Sequence, residues 1–88
     1  MRIHVLGDDS IGTQARTYAE YRLFATLSQV MDMDRIRDAR VVLHGGGRGD
    51  GVSCTVSVAL DDGDELRVRT SASHPYAAIN DAVDRLRP

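Results

Sequence analysis

One cysteine, three histidines, eleven arginines and a glycine-rich tract are the residues of this 88-residue sequence whose types can do chemistry. A thiol nucleophile needs a base and an orienting group beside it. Cys54 instead stands mid-strand among Ser and Thr, which reads as a small buried core residue. It has no partner for an intramolecular disulfide or a zinc knuckle, which fits a reducing cytoplasm. His4, His44 and His74 fall on three separate elements without metal-ligand spacing. The acids are mostly aspartates gathered in turns (Asp8-Asp9, Asp32, Asp34, Asp61-Asp62), where carboxylates satisfy local backbone groups, so no acid/base pair stands out. The tract 45–51 holds five of the eight glycines. It lacks the Lys-Ser/Thr ending of a phosphate loop and runs into no helix, so it reads as a flexible hairpin connection. Arg48-Gly49-Asp50 within it is a three-letter coincidence. Without a nucleophile, base and oxyanion donor that can be placed together, no enzyme, cofactor, metal or small-molecule substrate is expected.

The arginines carry more. Arg40, Arg67 and Arg69 occupy strand positions opposite the apolar set, beside Thr55 and Ser57. They can form a basic, hydroxyl-rich open face that grips phosphates bidentately. The competing reading is a plain solvated face, with Arg in place of Lys throughout reflecting only coding bias.

These residues need elements to position them. Residues 2–6 read as a short strand ended by Gly7-Asp8-Asp9. Ser10 or Thr13 can cap a helix over 13–31, where Ala15, Tyr18, Ala19, Leu23, Thr26, Leu27 and Val30 recur at helical spacing. Residues 39–44 read as a strand with Ala39, Val41 and Leu43 on one side. The alternation over 52–60 is the cleanest, with Cys54, Val56, Val58 and Leu60 facing the core. Asp61-Asp62-Gly63-Asp64 supplies a hairpin turn, and Leu66, Val68 and Thr70 alternate in the next strand. Ser73-His74-Pro75 opens a final helix with Tyr76, Ile79, Val83 and Leu86 on its apolar stripe. The expected fold is α+β, in the order β-α-β-β-β-α. A four-stranded mixed sheet carries both helices on one face, because only one set of strand positions is consistently apolar.

Length allows one domain over 1–88. Hydrophobic residues make up 42% and charged residues 27%, the balance of an ordinary soluble domain. No stretch approaches a membrane span, and the N-terminus lacks the apolar run of a signal peptide. The net charge of −2 offers nucleic acid no global attraction, so any such binding must come from a local arginine cluster.

Three segments resemble one family. Met1-Arg-Ile-His-Val-Leu-Gly is similar to the opening strand of the ribosome hibernation promoting factor / ribosome-associated inhibitor family, the sigma-54 modulation proteins. Ala15-Arg-Thr-Tyr-Ala-Glu-Tyr-Arg-Leu23 resembles its first helix, Leu-Arg-Glu-Tyr-Val-Glu-Lys-Lys-Leu. Pro75-Tyr-Ala-Ala-Ile-Asn-Asp-Ala-Val-Asp-Arg-Leu86 is close to its Met-Tyr-Ala-Ala-Ile-Asp-Leu-Ala-Val-Asp-Lys-Leu. The resemblance implies a cytoplasmic, non-catalytic factor that binds the small ribosomal subunit when growth slows. It would hold 16S rRNA phosphates in the channel used by mRNA and tRNA. Arg22, Arg40, Arg67, Arg69 and Arg85 are then the expected rRNA contacts.

The departures are informative. The family's paired helix lysines become Tyr21 and Arg22, a later basic position becomes Ala25, and Asp81 lies where it can pair with Arg85. The chain stops at Arg87-Pro88, before the family's basic tail and before the second domain through which long members dimerise, or it is cut from a longer protein. Tyr21 and Phe24 lie about 150° from the apolar stripe of the first helix. With Met31 nearby, they form an expected protein-contact patch for a homodimer or a regulatory partner, the alternative to ribosome binding.

Overall fold

In a computed structural model, which describes residues 2–45 and 51–87, strand β1 (Arg2–Gly7) leads into helix α1 (Thr13–Val30). A 3₁₀ turn (Met33–Arg35) precedes β2 (Ile36–Gly45), followed by β3 (Val52–Leu60), β4 (Glu65–Ala72) and α2 (Pro75–Asp84). The strands lie in the order β1-β2-β3-β4. β1 runs parallel to β2 and the other pairs are antiparallel, so the sheet is mixed. α1 provides the crossover that a parallel pair requires. The glycine tract was expected to close the β2–β3 hairpin; its residues 46–50 lie outside the described ones, while Gly45 and Val52 pair on either side.

One sheet face is buried. Ala39, Val41 and Leu43 of β2 meet Val58, Val56 and Cys54 of β3 in register, each at most 1% exposed. Ala15, Ala19, Leu23, Thr26 and Leu27 recur every three or four residues and turn one stripe of α1 onto this face. Ala78, Ile79, Ala82 and Val83 do the same for α2, where the two alanines let the helix lie close to the strands. The Thr70 hydroxyl donates to the Ala78 carbonyl at 2.7 Å, tying α2 to β4.

The start of β2 and the cap of α1 differ from the sequence expectation, each for a local reason. β2 begins at Ile36 rather than 39, because a register irregularity between Ile36 and Asp38 breaks the alternation. Ile36 and Ala39 both face the core as a result. α1 starts after Gly12 without a side-chain cap, since the Ser10 hydroxyl donates to Asp8 instead. His74 does cap α2, its Nδ1 accepting from the Ala77 N–H at 3.4 Å. Gly63 sits at φ +92°, the left-handed region the turn after β3 needs. Tyr76 and Leu66, expected on the apolar sides, are 38% and 37% exposed at the rim of the core.

The Asp8 carboxylate fastens the β1–α1 loop to the end of β2. It accepts from the Ser10 hydroxyl and N–H and from the Gly45 N–H at 2.9 Å, and His44 Nδ1 lies 3.4 Å away. A Cβ on Gly45 would collide with the Ser10 hydroxyl. The Ser10 hydroxyl first, then the Gly45 N–H, hold the Asp8 carboxyl below its ordinary value of 3.8. A carboxyl depressed in the folded state stabilises above its unfolded pKa, and that contribution is lost as pH falls through the folded one. Asp8→Asn should therefore flatten the loss of thermal stability below about pH 4, measured as melting temperature against pH. An unchanged acid limb would show that the clasp contributes nothing.

Candidate functional site

The opposite face of the sheet is open, and the register sets out its residues in rows. His4 pairs with Arg40, Arg40 with Ser57, and Ser57 with Arg67, so one row crosses all four strands. The adjacent row reads Leu6, Val42, Thr55 and Arg69. On the other side of the arginine row lie Arg2, Asp38, Ala59 and Glu65. Strands about 4.8 Å apart and residues of one face about 7 Å apart place Arg40, Arg67 and Arg69 within reach of neighbouring phosphates. All three are exposed, and among the described residues none is in an ion pair. Guanidinium groups with free donors, flanked by the Thr55 and Ser57 hydroxyls, suit bidentate contact with phosphate oxygens.

Arg85 joins this set in a way the sequence did not suggest. The anticipated Asp81–Arg85 pair is absent among the described residues. Arg85 Nη1 instead donates to the Arg69 carbonyl at 3.4 Å, bringing the end of α2 to the β4 edge. Arg22 lies elsewhere. Its Nη2 is 3.7 Å from Asp84 Oδ1, its side chain is only 27% exposed, and its Nε is buried without a partner among the described residues. It joins α1 to α2 and stands apart from the open sheet face. Arg16, unremarked in the sequence, donates to the Gly7 and Asp8 carbonyls and completes the clasp at the end of β1.

Tyr21 and Phe24 are 67% and 53% exposed, as the helical spacing predicts. Met31 is not part of their patch, because it is half-buried against the core. Tyr21 borders a shallow groove of about 440 Å³ with Tyr18 and Tyr76. The groove is fixed by an edge-on Tyr18–Tyr76 contact, 5.1 Å between ring centres, and by the Tyr18 hydroxyl donating to Asn80 Oδ1 at 2.6 Å. No sequence signal marked this arrangement, since Tyr18 and Asn80 are far apart in the chain.

Other candidates resolve simply. Cys54 is fully buried and desolvation pushes its thiol up to about 11, so little thiolate is available. Among the described residues, no group of three or more His, Cys, Asp or Glu side chains is placed to hold a metal ion, and no helix is long and apolar enough to cross a membrane.

A family model described as Sigma 54 modulation protein / S30EA ribosomal protein matches residues 7–88. Among solved structures, the Protein Y N-terminal domain of Thermus thermophilus superposes with a TM-score of 0.76 at 29% identity, covering 98% of this chain and 91% of that one. A ribosomal subunit interface protein from Coxiella burnetii gives a TM-score of 0.77 at 17% identity, over 98% and 89% of the two chains. At that identity the likeness speaks for the fold alone. A search of curated protein sequences returned no match.

Proposed function

Starting from a chain that belongs to the sigma-54 modulation protein / S30EA ribosomal protein family, we propose that it is a non-catalytic, cytoplasmic ribosome-binding factor. It acts by contacting 16S rRNA phosphates in the mRNA and tRNA channel of the small subunit and so holds translation off. The observation that carries this reading is the open face on which Arg40, Arg67 and Arg69 stand beside two hydroxyl residues, without an ion pair among the described residues. Arg85 extends the basic surface around the β4 edge, while Arg22, engaged by Asp84, contributes less.

The number of phosphate contacts sets the strength. Each neutralised phosphate steepens the fall of log affinity with log salt by about 0.9, and tight binders make about 6–10 such contacts. Three free arginines give a slope of about 2.7, so a fourfold rise from 50 to 200 mM salt costs roughly 40-fold in affinity. Binding of this protein is accordingly weaker and less salt-steep than a fully basic surface would give. Sedimentation of the purified protein with small subunits and 70S ribosomes across this salt range tests the proposal. Co-sedimentation at low salt that fades as salt rises is expected, and its absence at low salt would overturn the reading.

A second reading rests on the exposed Tyr21 and Phe24 of α1, which fit a homodimer contact or a regulatory partner. Light scattering should then show a dimer that Tyr21→Ala with Phe24→Ala converts to monomer. A wild-type monomer at every concentration would remove the homodimer.

A further inference from the structure

The open face also carries a feature that phosphate contact leaves unexplained. A hollow of about 330 Å³ lies across β2, β3 and β4, and among its lining residues are Asp38, Arg40, Thr55, Ser57, Glu65 and Arg67. The charges are sorted by row. Arg40 and Arg67 flank Ser57 in one row, and Asp38 and Glu65 flank Ala59 in the next. Among the described residues none of the four forms an ion pair, although opposite charges on one strand are only two residues apart. A surface evolved only to attract phosphate would gain nothing from two carboxylates at this point, since each repels the same oxygens.

From this arrangement we infer that the hollow seats one nucleotide unit, its phosphate on Arg40 and Arg67 and the amino edge of its base on Asp38 and Glu65. The two rows are about 7 Å apart along the strands, a span that a nucleotide bridges. The Ser57 hydroxyl, between Arg40 and Arg67, forms a polar floor able to meet the ribose. A carboxylate accepts from an exocyclic amino group but repels a carbonyl oxygen. The hollow therefore favours cytosine, whose position 4 carries N4–H₂, over uracil, which presents O4 at the same place. The acids supply base choice at the expense of raw attraction to the backbone.

The inference rests on the ribosomal reading of this face, and the test separates the two. Fluorescently labelled oligocytidylate and oligouridylate are titrated against the intact chain at low salt, with cytidine and uridine 5′-monophosphates as a second arm. Cytidylate should bind more tightly by about fivefold, the lower end of what a directed polar contact discriminates. Asp38→Ala with Glu65→Ala, both on the outer face of the sheet, should bind oligouridylate at least as tightly as the wild type while erasing the preference. Arg40→Ala with Arg67→Ala should weaken both oligomers together. Discrimination between the oligomers but not the monophosphates assigns the hollow to a nucleotide within a strand; discrimination by the monophosphates as well assigns it to a free one. Equal binding of the two oligomers by a wild type that still sediments with ribosomes overturns the nucleotide seat and leaves the ribosomal reading standing. A cytidylate preference without ribosome association upholds the seat and overturns that reading.

Discussion

Replacing Arg40, Arg67 and Arg69 together by alanine is expected to abolish ribosome association at physiological salt and to remove most of its salt dependence. The three guanidinium groups share the open face in two adjacent rows of the register, and among the described residues none is paired with a carboxylate. Removing three phosphate contacts lowers the slope of log affinity against log salt by about 2.7, the larger part of what this surface generates, with Arg85 left to supply the remainder. Their exposure makes the variant a clean one, because truncating solvated arginines leaves the core intact. Arg22→Ala is the matching control. Its charge is engaged by Asp84 on the helical side, so ribosome affinity should change little while the link between α1 and α2 weakens. Sedimentation of both variants at several salt concentrations provides the measurement. If Arg22→Ala disrupts binding and the triple variant does not, the contact surface is the helical one and the sheet face is only solvated.

Leu23→Ala should have the largest effect on stability, lowering it by about 3 kcal/mol within the 2–5 kcal/mol range for buried leucines. Leu23 is 0% exposed at the centre of the α1 stripe, and α1 and α2 cover the sheet's inner face. In a domain of this size such a loss lowers the melting temperature by roughly 12–24 °C. Leu23→Met, which nearly conserves volume, should cost less than about 1.5 kcal/mol. Calorimetry of the two variants separates a cavity effect from a general intolerance of α1 to change. A Leu23→Ala protein that melts within a degree or two of the wild type would mean that α1 is not held by the packing described.

The fold was legible because its signals are local. Alternation over Val52–Leu60 and the three-or-four spacing of Ala15, Ala19, Leu23 and Leu27 depend only on strand and helix geometry. The single apolar set on each strand is enough to require that both helices cover the same face. Legibility failed where one residue broke the period, as at the irregularity between Ile36 and Asp38, or where a side chain chose a tertiary partner. Ser10 was a reasonable cap by position, but the Asp8 carboxylate beside it and the Gly45 N–H from β2 form a better-satisfied cluster.

For the candidate site, the sequence by itself determined which arginines point away from the core, since facing follows from strand period. It also determined that Tyr21 and Phe24 are exposed, since that follows from helical rotation. Only the tertiary structure decided what those charges meet. Arg22 found Asp84, Arg85 found the Arg69 carbonyl rather than Asp81, and Arg40 and Arg67 were brought to either side of Ser57. The physical reason is one of range. Period and propensity act over a few residues, whereas the field at a guanidinium is set by whatever charge folding brings within a few ångströms, however distant in the chain.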